Sequence, residues 1–436
     1  MNSPASELNL VLEGTVAGRL LSQLGRRLYF PNGIIAQSAE AKKAAHKANA
    51  TIGMAYSGGQ PMILSAIAES MPSLGAEAAV AYAPTAGLEQ AREAWKDLVL
   101  QKNPSVNTGH ISLPVVIPGL TAGLSYTADL FLEAGKTILT SDPCWDNYGL
   151  IFAGRREADL RGIPFFGNGS PRGTITPGLD METIIRAVGE SAKTGTVRLI
   201  LNFPNNPSGY SPTCSETDAL VQCIREAAEG GADVLIICDD AYFGLFYEDE
   251  INKESLFGRF ASLHERILAI KIDGHIKEDY GWGLRMGFLT FGSLGLGPEH
   301  HEALVKKMMG AIRSSVSCAN TPAQHFMLKA MEDPRTGVEK DRYYEILRRR
   351  YRTVKDFIEK NPEHPRLKPL PFNSGYFMSF RCVGIDAEAL RRELLSKEGI
   401  GVIALSADYL RIAFAGMEEE QIPGVYRIIY DTASKL

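Results

Sequence analysis

The sequence predicts an α/β protein: a large domain with a mainly parallel sheet sandwiched by helices, plus a smaller α+β domain built from the N- and C-terminal parts. Three observations lead there. Short apolar runs rich in β-branched residues alternate with helix-like stretches through the middle of the chain, which is the pattern of a parallel sheet covered on both faces. After Pro334 the texture changes to a long amphipathic helix followed by strands. At 436 residues the chain also exceeds what one core usually supports. The expected division is an N-terminal segment at 1–55 contributing to the small domain, a large domain at 56–325 and a small C-terminal domain at 326–436.

The strands are expected, in order, at "LPVVIPG" (113–119), "TILTSDP" (137–143), "VRLILNFPNNP" (197–207), "DVLIICDDAY" (233–242) and "ILAIKIDG" (267–274), with another apolar strand after Arg285. Between them, "TAGLSYTADLFLEAG" and "SETDALVQCIREAAEGG" read as helices, the second closed by a glycine pair as helix C-termini prefer. In "EKDRYYEILRRRYRTVKDFIEKN" the residues Tyr344, Leu347, Tyr351, Val354 and Ile358 recur at three- and four-residue intervals, so one stripe packs while Arg348, Arg349 and Arg350 are expected to face water. "FNSGYFMSF" and "YLRIAFAG" read as strands of the smaller domain.

Composition narrows the function. Hydrophobic residues make up 45% and charged ones 22%, and the formal charge of -5 argues against nucleic acid or an anionic membrane as partner, leaving a small ligand. The six cysteines lie far apart without a CxxC pair, so they read as reduced thiols in a cytosol, and no metal site is expected. The first residues lack a charged segment followed by an apolar one, and no apolar run is long enough to span a bilayer; a cytoplasmic location is the expectation.

Residues just past the C-terminal ends of parallel strands converge on one crevice. After the strand at Val197 comes "NFPNNPSGY", a rigid turn able to hold the Asn206 amide as a fixed donor, although Asn-Pro pairs are also ordinary loop punctuation. After the strand at Val234 comes "DDAY", where a carboxylate leaving the core needs a cationic partner or solvent. After the strand at Ile267, Lys277 is followed by a glycine-flanked tryptophan and Arg285. An exposed basic loop would account for that last stretch equally well.

"PNNPSG", "DDAY" and "KEDYGWGLRMG", in this order and each after its own strand, together resemble the class I/II aminotransferases, the fold-type I pyridoxal-phosphate enzymes typified by aspartate aminotransferase. "YAPTAGLEQAREAW", "IPGLTAGL", "DPCWDNY", "NSGYF" and "YLRIAFAG" have counterparts too, so the resemblance covers most of the chain. It implies a seven-stranded-type sheet and pyridoxal 5'-phosphate as cofactor. It further implies transfer of an amino group from an amino acid to a 2-oxo acid by a ping-pong mechanism.

Under that resemblance Lys277 is the Schiff-base lysine and general base, with a pKa lowered by burial near Arg285. Asp239 pairs with the pyridine nitrogen, Asn206 and Tyr242 donate to the phenolate oxygen, and Trp145 stacks on the ring. The amides of Gly119, Leu120 and Thr121 at a helix N-terminus, with Arg285, take the phosphate. Tyr82 matches the tyrosine that reaches the phosphate across a subunit boundary, which implies a homodimer with shared active sites. Arg411 grips the substrate carboxylate, Ile34 with Gly33 and Ile35 forms an apolar wall beside the substrate, and Arg313 falls roughly where a partner-supplied arginine meets a second carboxylate. One position departs from the pattern. Many relatives carry a phosphate-bonding serine three residues before the lysine, and this chain has Gly274, with His275 beside it as a possible replacement.

The resemblance leaves the reaction open, since lyases and decarboxylases of this fold use the same lysine, aspartate and arginines. A non-catalytic regulator is disfavoured by the acidic charge and by the short stretch before "MAYSGGQP", which is too small for a DNA-binding module.

Overall fold

Six of the seven strands in the main sheet run the same way, and the reason is visible in the connections between them: helices long enough to cross the sheet and return. The computed structural model describes Ser6 and residues 34–51, 53–70, 73–167, 177–361 and 364–436. Its main sheet comprises β1 (Val115–Ile117), β2 (Thr137–Asp142), β3 (Asp159–Pro164), β4 (Thr196–Leu201), β5 (Asp233–Asp239), β6 (Ile267–Asp273) and β7 (Gly287–Gly292). The spatial order is β1-β7-β6-β5-β4-β2-β3, with β7 antiparallel to both its neighbours.

β3 is the one strand of this sheet that the apolar pattern does not announce. Its "DLRGIP" sits at the sheet edge with Arg161 and Gly162 exposed, so it never needed the continuous apolar run of a strand buried on both faces. The central strands have that run: Ile236, Ile237, Ile270 and Ile272 are fully buried. One face is covered by helices α2 (Leu120–Phe131) and α3 (Pro298–Arg313), packed on Leu289 and Ile272. The other is covered by the helices at Met181–Ala192, Cys214–Glu229 and Leu256–Ala261. A helix α1 (Glu89–Lys102) lies beside β1 and β7, where Trp95 stacks on Phe288 at 4.4 Å.

The C-terminal part forms a second layer, an antiparallel sheet of β8 (Leu367–Pro369), β9 (Phe377–Cys382), β10 (Ile403–Leu405) and β11 (Tyr409–Ala413) in the order β8-β9-β11-β10. The long helix α4 (Arg335–Lys360) packs against it through Leu347, Tyr351 and Val354, the stripe read from the sequence. One of the three arginines does not face water. Arg350 is fully buried, its guanidinium donating to the Ala415 carbonyl at 2.7 Å and to Glu418 at 2.7 Å. Position 350 falls three residues after Leu347 and so joins the packed stripe, and the arginine is admitted only because both partners are supplied there. Residues 48–49 of the N-terminal segment pair with Ile400–Gly401, and Gln37 exchanges two hydrogen bonds with Ala404.

Candidate active site

The C-terminal ends of β4, β5 and β6 and one strand of the second layer place the expected residues around a common space. The turn after β4 is held shut from inside: the Asn202 amide donates to the Asp239 carbonyl at 2.7 Å, and its oxygen accepts from the Asn206 amide N–H at 2.7 Å. Gly209 closes the turn with φ 79°, and a Cβ there would lie 1.9 Å from the Phe377 carbonyl, so no other residue fits. The turn is therefore rigid, and it presents the Asn206 side chain to Arg411, whose Nη1 donates to Asn206 Oδ1 at 2.9 Å.

β5 ends in the two carboxylates, which the structure assigns to different jobs. Asp240 is paired with the buried ammonium of Lys271 and accepts from the Ser255 hydroxyl at 2.6 Å, so it is spent on the fold. Asp239 is buried too, but among the described residues its one side-chain partner is the Tyr148 hydroxyl, which donates to Oδ2 at 2.5 Å, and Oδ1 has no hydrogen-bond partner there. Burial pushes its pKa up to about 6, against the Tyr148 hydrogen bond and the nearby Lys277 charge, which hold it down. A buried carboxylate oxygen left open costs free energy unless a ligand donates to it.

Lys277 follows β6 and lies with its Nζ 4.8 Å from the centroid of the Tyr242 ring. Burial, reinforced by Arg285, lowers its pKa to about 8 against the pull of Asp239, so roughly a tenth of the amine is neutral at pH 7, far more than for an ordinary lysine. Tyr242 is buried and its phenol is held well above the usual range, first by burial. Arg285 is exposed, in the left-handed backbone region with φ 50°, and its guanidinium lies against Gly119, where a Cβ would come within 2.7 Å of Nη2. Gly119 itself has φ 92° and caps the N-terminus of α2, followed by Leu120 and Thr121. A cation facing bare backbone amides at a helix start is a place for an anion.

Arg411, on β11, is 2% exposed and also donates to the Thr51 carbonyl at 3.3 Å, with its guanidinium 4.2 Å above the Phe377 ring. Its Nε has no hydrogen-bond partner among the described residues, and burial lowers its pKa. Trp145 is half-buried, its ring meeting Tyr148 edge-on at 5.6 Å.

Other expected residues stand apart within one chain. Tyr82 is 91% exposed. Arg313 ends α3 and is exposed, and its side chain has no hydrogen bond or ion pair among the described residues. Gly33 and the side chains of Ile34 and Ile35 lie outside the described residues. His275 does not replace the missing serine: its Nδ1 stands 3.1 Å from Asp279, inside the loop. The serine's slot is closed, because a Cβ at Gly274 would lie 2.7 Å from the Gly287 Cα and 3.2 Å from Leu120 Cδ1. Four contributors escaped the sequence reading, namely Tyr148, Thr51, Phe377 and Tyr376. Tyr148 lies in the quoted "DPCWDNY" and Tyr376 and Phe377 in "NSGYF", but nothing in the sequence singled these residues out within their motifs, and Thr51 left no signal.

A single ligand that answers all these groups offers a carbonyl to the amine, a protonated ring nitrogen to the open carboxylate oxygen and an anionic group to the helix start. That is the chemistry of pyridoxal phosphate, so fold and site define a pyridoxal-phosphate enzyme on a helix-covered sheet. The chain belongs to the aminotransferases of class I and II, whose family model matches residues 53–429. It is 25% identical over 360 residues to a probable aspartate/prephenate aminotransferase of Aquifex aeolicus, covering 80% of this chain and 82% of that one. Among solved structures it is similar to an aminotransferase from Anaerococcus prevotii, with a TM-score of 0.81, 22% identity and coverage of 93% and 98%. It is also similar to a Thermus thermophilus aspartate aminotransferase double mutant, with a TM-score of 0.73, 21% identity and coverage of 94% and 99%. The protein is thus a pyridoxal-phosphate-dependent aminotransferase, acting on amino acids and 2-oxo acids.

Proposed function

We propose that Lys277 is the amine that joins the cofactor and later carries the proton, and that the residues around it divide the remaining work. The bound cofactor supplies an electron sink for the pair released when the substrate's Cα loses a proton. Asp239, steadied by Tyr148, holds a proton on the ring nitrogen. Tyr242 and the free amide hydrogens of Asn206 donate to the ring oxygen, and Trp145 supplies a flat apolar face. Arg285 and the amides of Gly119 to Thr121 hold the phosphate, joined by Tyr82 from a second copy of the chain.

Arg411 takes the substrate carboxylate in a two-pronged grip that aligns the Cα–H bond with Lys277. Its carboxylate-binding hydrogens compete with Asn206, so one polar cluster binds both the cofactor's edge and the substrate's end. The reaction is then ping-pong: one amino acid leaves as its keto acid before a second keto acid enters. The domain boundaries at 1–55, 56–325 and 326–436, the shared-site homodimer and the cytoplasmic location belong to the same proposal; the location is supported by six cysteines that are all unpaired.

The observation that carries the reading is the open oxygen of buried Asp239 beside an amine whose pKa is lowered. A panel of amino donors against 2-oxoglutarate tests it, beginning with aspartate and alanine, the substrates in the relatives' names, and phenylalanine. The proposal expects pyridoxamine phosphate after donor alone. Ammonia or carbon dioxide without it would instead mark a lyase or decarboxylase.

A further inference from the structure

The loop between β6 and the turn at Trp282–Leu284 carries Lys277, and it is gripped from outside by groups that the cofactor chemistry does not use. The Tyr376 hydroxyl, on a fully buried residue, donates to the Lys277 backbone carbonyl at 2.8 Å. Asp279, two residues past the lysine and 4% exposed, faces Lys340 Nζ at 2.6 Å and His275 Nδ1 at 3.1 Å. Glu278 faces Lys102 Nζ at 2.6 Å and Lys340 Nζ at 3.5 Å, and its carboxylate fills the space above Gly244. Tyr280, held at φ 55° where side chains are rarely found, meets the Tyr343 ring edge-on at 4.9 Å.

These contacts come from particular places. Lys102 ends α1, while Lys340 and Tyr343 lie near the start of α4. Tyr376 immediately precedes β9, the strand that pairs with β11 through Ser379 opposite Arg411. The carboxylate grip and the hold on the lysine loop are therefore built into neighbouring strands of one sheet. Burying a carboxylate and an ammonium together is expensive unless the pair fixes something. Lys340, part-buried, is held above the usual range by Asp279 and Glu278 against the cost of its desolvation, and buried Asp279 is held well below its own by Lys340 and His275.

We infer that Tyr376 and Lys340 are positioning residues for Lys277: they fix the lysine loop to the sheet that carries Arg411, so that one body sets the distance from substrate carboxylate to amine. The inference rests on the aminotransferase reading, with Lys277 as the reacting amine. Tyr376 acts through the Lys277 backbone carbonyl, and Lys340 through the carboxylates of Glu278 and Asp279, the two residues that follow the lysine. The charged and titratable groups that face the Lys277 amine itself are Asp239, Tyr242 and Arg285; the Tyr376 ring meets Tyr242 edge-on at 5.4 Å, a contact that loss of the Tyr376 hydroxyl alone keeps.

The test uses the holoenzyme of the wild type and of Tyr376→Phe, Lys340→Met and Lys340→Arg. It follows the amino-donor half-reaction by cofactor absorbance, and the pH midpoint of that absorbance before donor is added. Tyr376→Phe keeps the ring and removes only the hydroxyl, so it decides the matter if Lys340→Met fails to fold. Loss of placement is expected to slow the half-reaction about tenfold or more, with half-saturation by donor changed by less than about twofold. The pH midpoint should move by about half a unit or more as water reaches the amine, and Lys340→Arg should recover most of what Lys340→Met loses. A Tyr376→Phe rate within about twofold of wild type and an unmoved midpoint would overturn the inference. So would a rate loss matched by an equal rise in half-saturation, which marks ordinary substrate binding. A wild type that never joins the cofactor at Lys277 would overturn both this and the proposed function, whereas equal behaviour of wild type and variants overturns this alone.

Discussion

Replacing Asp239 by Asn should make the cofactor-free protein more stable and the enzyme nearly inactive. The folded chain holds Asp239 at a pKa of about 6 against an ordinary value of 3.8, chiefly by burial. A raised carboxyl pKa means that the folded state favours the protonated form, so the stability it contributes is complete below pH 3.8 and is lost as pH rises through 6. Above that, the fold carries a buried carboxylate displaced by about two pH units, which at about 1.36 kcal/mol per unit is a cost near 3 kcal/mol. Asn carries no charge, keeps an oxygen for the Tyr148 hydroxyl and avoids most of that cost. Urea unfolding of the cofactor-free proteins, at matched concentration because assembly shifts apparent stability, should show Asp239→Asn more stable by about 1–3 kcal/mol at pH 8. The gap should shrink towards zero near pH 4. With cofactor present the order should reverse, since only the wild type gains the ring-nitrogen pair. A variant less stable than wild type at pH 8 without cofactor, or a gap that ignores pH, would refute the reasoning.

Three further outcomes follow from the same geometry. Arg411→Lys removes the fork but keeps a charge, and should raise KM for amino donors at least about tenfold while the cofactor spectrum stays that of wild type; spectral titration with donor measures it. Gly119→Ala puts a methyl 2.7 Å from Arg285 Nη2 at φ 92°, so equilibrium dialysis should show cofactor affinity down about tenfold or more. Tyr148→Phe removes the one side-chain donor to Asp239 among the described residues, at about 1–3 kcal/mol, and should move the acidic limb of the pH–rate profile upward, because the hydroxyl is the largest of the contacts that hold that carboxyl down.

Much of the site was legible because β-sheet enzymes place chemistry at strand ends, and strand ends show in sequence as apolar runs giving way to polar residues. Lys277, Asp239 and Asn206 follow such strand ends, whereas Arg411 lies inside β11 and was reached only through the resemblance, as were the roles of all four. What stayed hidden depends on which neighbour a side chain turns to. Asp239 and Asp240 are adjacent and identical in kind, yet Lys271 on the next strand claims one of them and leaves the other for a ligand. Arg350 sits in a run of three arginines, and only the Ala415 carbonyl and Glu418, more than sixty residues away, make it a buried one. β3 was missed because an edge strand needs no apolar run, and the fate of the missing serine needed the approach of Gly274 to Gly287 across two antiparallel strands.

The central claim is that the amine of Lys277 forms the covalent bond to pyridoxal phosphate, and borohydride reduction of the holoenzyme followed by peptide mapping tests it most directly. The account predicts one reduced pyridoxyl adduct, on the peptide carrying Lys277, and none in Lys277→Ala. An adduct on another lysine, or a holoenzyme that turns over with Lys277 unlabelled, would contradict it.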